Sequence, residues 1–216
     1  MCSSDLLKLT CQECLTLRME VGVGEFARRG RPLASVCNCG KPSEKLVKRI
    51  NAEYAIDAYR TIEQDPGFGI QQLVDIAVKA LSPGVNDTTT AATAVDYLSE
   101  VLCELATRRL ESAHFFSGSE LKIIVRGFTF QKLLHDAFEQ IVENAHGNQA
   151  VMTHLLKSLK EIGPVVPNGC RRQALVEQLG VIAELAQHTL KSTLARERVE
   201  ARIAEVRSLL IINAPS

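Results

Sequence analysis

The chain has 216 residues, the length of one ordinary domain with a sizeable core, and its 46% apolar and 23% charged residues exclude a disordered chain. Its 25 basic and 25 acidic residues give a net charge of zero, so composition does not support a general attraction for nucleic acid or anionic lipid. Seven cysteines, an odd number, favour free thiols in a reducing compartment, and we expect a cytoplasmic protein that binds no nucleic acid.

The first element that the sequence predicts is a β-strand. Apolar and polar residues alternate from Leu15 to Val21, and this period of two indicates a half-buried strand. A glycine-rich passage follows, and a short apolar run over residues 33–36 predicts a second strand. We therefore expect a small β-unit, half-barrel-sandwich-like, within residues 1–42, with its strands confined to about residues 14–37.

Helical periodicity replaces this pattern at residue 43. Ser43 is expected to cap a first helix that carries Tyr54 and Ala58 on its apolar face and ends near Pro66. A regular stripe of apolar residues predicts the next helix, from Gly69 to Leu81, which we expect to be central.

Further helical segments follow, interrupted by a short predicted strand at residues 123–125. Thr129 and Asn148 are expected to cap two helices that form a hairpin, and two more helices follow a breaker-rich passage at residues 163–169. The predicted fold is a mainly helical α+β fold with about six helices. Residues 1–42 and a helical domain of residues 43–216 are expected to form one compact unit.

The stretch "ALSPGVNDTTTA", residues 80–91, concentrates polar side chains between two predicted helices. In one interpretation Ser82 ends the first helix and Asn86 or Asp87 caps the second, and such caps contribute about 1 kcal/mol. In the other, the helix N-terminus and its hydroxyl groups hold an anion or a polar ligand, faced by polar residues from an earlier helix. The candidate ligand-binding residues are Arg60, Asp65, Ser82, Asn86, Asp87, Thr88 and Thr90, with Glu63 beside the first two.

Two cysteine pairs flank the predicted strands. Cys11 and Cys14 precede the first strand and Cys37 and Cys39 follow the second, so a hairpin would bring four thiols to one end. Four thiolates can hold zinc, but Cys-x-Cys is a less usual spacing, and we expect separate thiols with no metal or cofactor. The histidines match no metal-binding spacing, and no phosphate-binding loop or nucleophile elbow occurs, which argues against an enzyme.

Residues 60–91, "RTIEQDPGFGIQQLVDIAVKALSPGVNDTTTA", resemble the central motif of a family of uncharacterised bacterial predicted membrane proteins, domain of unknown function 2254 (DUF2254). A visible departure is Thr88, where the family usually has proline, which loosens the first helical turn but keeps the cap. The resemblance extends from about Asp5 to Leu210. The matching positions are Arg60, Thr61, Asp65, Phe68, Gly69, Leu73, Ile76, Ala80, Leu81, Ser82, Pro83, Asn86, Asp87, Thr90 and Ala91.

The resemblance implies a soluble domain, because members of this family carry a membrane-spanning region and no apolar run here approaches the roughly 20 residues that span a bilayer. That region is the expected partner, self-association into a homo-oligomer is a further expectation, and the expected location is the cytoplasm or the cytoplasmic face of the inner membrane. The family brings no known reaction. The expected function is an interaction or regulatory domain; the alternative is a small-molecule or anion-binding sensor or hydrolase that uses the polar turns around residues 60–65 and 82–90.

Overall fold

The computed structural model describes residues 3–37, 40–57, 59–62, 65–110, 113–167 and 169–212. Over these residues the chain forms eight helices and four strands, which confirms the mainly helical α+β class. The chain divides into two compact units, the first comprising residues 1–66 and 111–128 and the second residues 67–110 and 129–216.

The helices and strands follow one another along the chain, and the longest connections are residues 20–33 and 53–65. The elements are α1 (Ser3–Gln12), β1 (Thr16–Met19), β2 (Ala34–Cys37), α2 (Glu44–Ala52), α3 (Pro66–Leu81), α4 (Thr88–Thr107), β3 (His114–Ser117), β4 (Glu120–Ile124), α5 (Phe130–Asn144), α6 (Gln149–Ile162), α7 (Cys170–Thr189) and α8 (Thr193–Ile212).

The first unit is built on a four-stranded mixed sheet in the order β2-β1-β4-β3. β1 pairs antiparallel with β2 and parallel with β4, where Leu17 lies opposite Ile123. Helices α1 and α2 bury apolar side chains in the same core as the sheet. The buried members of this core are Leu6, Leu9, Leu15, Leu17, Met19, Leu46, Ile50 and Ile123.

This sheet differs from the expected β-unit. Two of its strands come from residues 114–124, outside the predicted span of 14–37, and the sheet is open and mixed rather than half-barrel-like. The turn of the β3–β4 hairpin contains Gly118 in a left-handed conformation, φ +61°, which glycine adopts without steric cost. A parallel partner for β1 must come from a distant part of the chain, and alternation within one segment does not identify it.

The helical segments of the first unit also depart from expectation. Ser43 caps α2 as predicted, accepting a hydrogen bond from the Leu46 amide at 3.2 Å, but α2 ends at Ala52. Tyr54 therefore lies beyond the helix and donates its hydroxyl to the Leu33 carbonyl at 2.9 Å. The expected position of Ala58 lies outside the described residues. Helix α1 was not predicted, and the compact units change over at residue 66, whereas the expected division was at residue 42.

The second unit is a helical assembly in which α6 is central. Helix α6 packs against α4, α7 and α8, so the prediction that the helix from Gly69 to Leu81 is central was wrong. The reason is visible in the burial pattern: α3 buries one narrow stripe, whereas α6 buries residues on several sides. The buried residues of α6 are Val151, Met152, Leu155, Leu156, Ser158, Leu159 and Ile162.

The predicted caps of this unit are confirmed. Thr129 accepts a hydrogen bond from the Lys132 amide at 3.1 Å, and Asn148 accepts one from the Val151 amide at 3.2 Å. Each cap satisfies one of the backbone N–H groups that have no partner inside a helix.

Two adjacent arginines stabilise the C-terminal ends of helices in this unit. Arg171 donates to the carbonyls of Ala106 and Arg108 at the end of α4, at 2.5 and 3.0 Å. Arg172, which is buried, donates to the Leu210 carbonyl near the end of α8 at 3.2 Å and to the Gly163 carbonyl at 3.3 Å. These contacts place positive charge against the negative ends of helix dipoles and satisfy carbonyls that lack helical partners.

Candidate functional site

The first unit contains a pocket of about 410 Å³. It is lined by residues 21–27, 54–57 and 59–61, together with Leu33 and Asp65. These residues bring apolar and aromatic side chains to the same cavity as a guanidinium and several carboxylates, a combination typical of ligand or partner sites.

An ion pair forms one wall of this pocket. Asp65 is 1% exposed and accepts hydrogen bonds from Nε of Arg60, at 2.9 Å, and from Nη2 of the same side chain. A buried carboxylate is costly without such a partner, so these hydrogen bonds from Arg60 offset the cost of burying Asp65. The structure therefore brings together these two of the predicted site residues.

Gly24 packs directly on this ion pair. A Cβ atom built at this position would lie 1.9 Å from Oδ2 of Asp65 and 2.9 Å from Nε of Arg60. The backbone there has φ +75°, a conformation that side-chain-bearing residues rarely adopt. The turn at Gly24 thus closes over the carboxylate, and only glycine fits without displacing it.

The polar turn between α3 and α4 belongs to the second unit. Ser82 donates its hydroxyl to the Lys79 carbonyl at 2.7 Å, and Asn86 has a left-handed backbone, φ +48°, which asparagine tolerates better than most residues. Asp87 caps α4: its carboxylate accepts the Thr90 amide at 3.0 Å and the Thr90 hydroxyl at 2.6 Å. These hydrogen bonds from Thr90 lower the pKa of Asp87.

Thr88 connects this turn to a second helix start. Its hydroxyl accepts a hydrogen bond from Nδ2 of Asn148, the cap of α6, at 2.9 Å. Helices α4 and α6 therefore begin side by side. Most polar side chains of this turn form hydrogen bonds within the second unit. The helix-capping interpretation therefore accounts for Ser82, Asp87, Thr88 and Thr90.

The ligand-binding interpretation stays a prediction. Arg60 and Asp65 are part of the first unit, whereas Ser82, Asn86 and Asp87 are part of the second. Asn86 is exposed and Asp87 half-buried. Glu63 lies outside the described residues.

Three of the four candidate zinc ligands lie in the described part of the first unit. Thr16 pairs with Cys37, so Cys37 and the preceding Cys14 are at the same end of the β1–β2 pair, as the hairpin prediction requires. Cys39 is outside the described residues, and within those residues no group of three metal-ligating side chains occurs. The expectation of separate thiols without zinc stays a prediction.

A polar network that the sequence analysis missed lies between α4 and α6. Nδ1 of His154 is 3.1 Å from Oδ1 of Asp96, and Lys157 donates to the same oxygen at 3.2 Å. One turn further on, Ser99 donates to Oε2 of Glu161 at 3.1 Å. The residues are three apart on α4 and three and four apart on α6, a spacing that could have identified them.

Asp96 is the centre of this network. Burial favours its neutral form, but the hydrogen bonds from His154 and Lys157 outweigh burial and lower the pKa of Asp96. The side chains of Asp96, His154 and Lys157 link two neighbouring parallel helices at the surface of the second unit.

The comparisons with known proteins identify the family. The model of DUF2254, described as a predicted membrane protein, matches residues 2–161. The chain belongs to this family. The resemblance of residues 60–91 to DUF2254 is thereby confirmed, because that segment lies inside the match.

Relatives of this chain occur in mycobacteria. An uncharacterized protein of Mycobacterium bovis and one of Mycobacterium tuberculosis are each 30% identical over 210 residues, covering 94% of this chain and 40% of each relative. Another M. tuberculosis protein is 32% identical over 171 residues, covering 77% of this chain and 33% of the relative. The chain thus spans well under half the length of these relatives. No solved structure matches it.

Within the described residues, none of the helices combines the length and the apolar character that crossing a bilayer requires.

The contact between Gly24 and Asp65 can be tested with two glycines of the same loop. Gly24→Ala should lower the free energy of unfolding by about 2–4 kcal/mol, because it combines backbone strain with a collision against the buried carboxylate. Gly30→Ala is the matched control, since Gly30 has φ +79° but open space around it, and should cost about 1 kcal/mol. Urea unfolding followed by circular dichroism measures both, and equal losses would contradict the packing described.

The Asp96 network predicts a pH-dependent contribution to stability. Because the folded-state pKa of Asp96 is lowered, its stabilisation is fully present above the unfolded value of about 3.9 and is lost as the pH falls through the folded value. Asp96→Asn should therefore lower the free energy of unfolding at pH 7, by less than about 1 kcal/mol because the site is partly exposed. Once the pH lies below the folded-state pKa of Asp96, the variant and the unchanged protein should converge. Glu100→Gln, on the exposed side of α4, is the control, and a pH-independent Asp96 effect would contradict the ionic origin.

Proposed function

We propose that the chain is an interaction or regulatory domain of a DUF2254 membrane protein, located on the cytoplasmic face of the inner membrane and partnered by the membrane-spanning region of such proteins. One observation carries the proposal. The chain aligns over 94% of its own length with only 40% of relatives from a family described as predicted membrane proteins. The aligned part is a folded segment of these longer proteins, distinct from the segments that would lie in the bilayer.

The polar groups of the structure support a binding role over a catalytic one. The turn between α3 and α4 uses its hydroxyls and carboxylate to start helices, and Asp65 is committed to Arg60. A catalytic base or nucleophile must instead have its reactive atom within reach of a substrate. The α3–α4 turn and the Arg60–Asp65 pair thus stabilise the fold. A partner would bind elsewhere on the exposed surface.

The location can be tested on the full-length M. tuberculosis relative. A tag placed at the end of the region that aligns with this chain should survive protease added to intact spheroplasts and be digested in inverted inner-membrane vesicles. A periplasmic reporter protein should show the opposite pattern and serves as the control. Digestion of the tag from outside intact spheroplasts would contradict the proposed cytoplasmic side.

The alternative function, a small-molecule or anion-binding sensor or hydrolase, is favoured by the pocket of the first unit. There the guanidinium of Arg60 lines a 410 Å³ cavity beside Tyr54 and Tyr59. An arginine in such a cavity is suited to a carboxylate or phosphate group.

A thermal-shift screen with phosphorylated and carboxylated metabolites separates the two functions. An interaction domain should show no rise in Tm with any of them, whereas a ligand at 100 times its Kd would stabilise a sensor by about 2.7 kcal/mol. A clear rise with one chemical class would favour the alternative. Asn86→Gly, which keeps the left-handed backbone conformation, then shows whether the polar turn takes part, because a lost rise implicates its side chain.

A further inference from the structure

Exposed apolar side chains are concentrated around the pocket of the first unit. Phe26 is 86% exposed, Tyr59 83% and Ile56 70%, and Val23 is exposed beside them. All four line the same pocket, so they are neighbours; we call them the apolar rim. Large exposed apolar side chains that lie together are typical of sites that bind a protein or a membrane.

The loop that carries Phe26 is also basic. It consists of two successive turns, in which Glu25 and Arg31 donate their amides to the carbonyls three residues earlier and glycines with φ +75° and +79° occupy the third positions. The sequence between these turns and just beyond is "FARRGR", so Arg28, Arg29 and Arg31 follow Phe26 closely, and all three are exposed. We call residues 22–31 the arginine loop.

These three guanidiniums are available to a partner. Among the described residues, no carboxylate forms an ion pair with Arg28, Arg29 or Arg31. The acidic residue of the loop, Glu25, is already engaged, because it accepts the Gly22 amide at 3.0 Å and pairs with Arg126 at 3.3 Å. A net charge of zero for the whole chain therefore conceals a local excess of positive charge beside the apolar rim.

We propose that the arginine loop and the apolar rim dock on the surface of an anionic bilayer, with Phe26 entering the boundary between headgroups and acyl chains and Arg28, Arg29 and Arg31 contacting lipid phosphates. This surface would lie on the membrane rather than span it.

A bilayer surface can bind the arginine loop and the apolar rim at the same time. Its outer layer presents a dense array of phosphates to the guanidiniums, and the acyl region directly beneath accepts an aromatic side chain. A small anion in the pocket would engage a guanidinium but would leave Phe26 and Tyr59 in water. The proposal rests on the proposed function in one respect, that the domain works beside a membrane whose cytoplasmic leaflet is anionic.

Vesicle co-sedimentation of the purified chain tests the proposal. The chain should bind vesicles of phosphatidylcholine mixed with phosphatidylglycerol, bind phosphatidylcholine alone much less, and bind more weakly as salt rises. Each arginine near the surface contributes about fivefold in affinity, so changing Arg28, Arg29 and Arg31 together to alanine should weaken binding about a hundredfold. The matched control changes three exposed arginines of α8, Arg198, Arg202 and Arg207, to alanine and should leave binding within a fewfold of the unchanged chain.

Insertion of the rim has an independent readout because the chain contains no tryptophan. The emission of a Phe26→Trp variant should shift to the blue on anionic vesicles, whereas that of Tyr97→Trp, exposed on α4, should not. Absence of vesicle binding by the unchanged chain would overturn the proposal and leave a protein as the occupant of the patch. Equal loss in the α8 control, or binding without a shift at position 26, would overturn it as well. The vesicle assay needs no other part of the protein, so its outcome is separate from that of the topology experiment.

Discussion

The parallel pairing of β1 with β4 is the constraint on which the organisation of the chain depends. Leu17 and Ile123 lie opposite each other in this pair and are almost completely buried. The pairing brings residues 111–128 back to the first unit after α3 and α4 have been built in the second. The chain therefore enters each unit twice, and neither unit is a continuous segment of sequence.

The same arrangement places the pocket in the first unit. In the first unit, β1 leads into the glycine turns, and α2 leads into the segment that carries Arg60 and Asp65. These two connections form the pocket, with a buried ion pair on one wall and exposed aromatic side chains around its mouth. The charge pair is satisfied inside the protein, whereas the apolar rim is presented to solvent.

The polar turn that dominates the family motif shows how capping and binding chemistry use the same residues. Serine, threonine, asparagine and aspartate accept backbone N–H groups at helix starts, and the same N–H groups can hold anions. Here Asp87 takes the capping position of α4, and Asn148 caps α6 while donating to Thr88. The polar residues of this motif are explained in large part by their role at the N-termini of the parallel helices α4 and α6.

The sequence by itself determined the mainly helical class, the caps Ser43, Thr129 and Asn148, the strand that became β1 and the family, because each of these depends on local chemistry or on a contiguous motif. It did not determine β3, the end of α2 at Ala52, the central place of α6 or the Asp96 network. It gave no sign that Gly24 closes over Asp65, or that Phe26 stands exposed beside three arginines. Those features depend on which distant segments pack together, and packing energy between segments is set by three-dimensional contacts that periodicity along one segment does not encode.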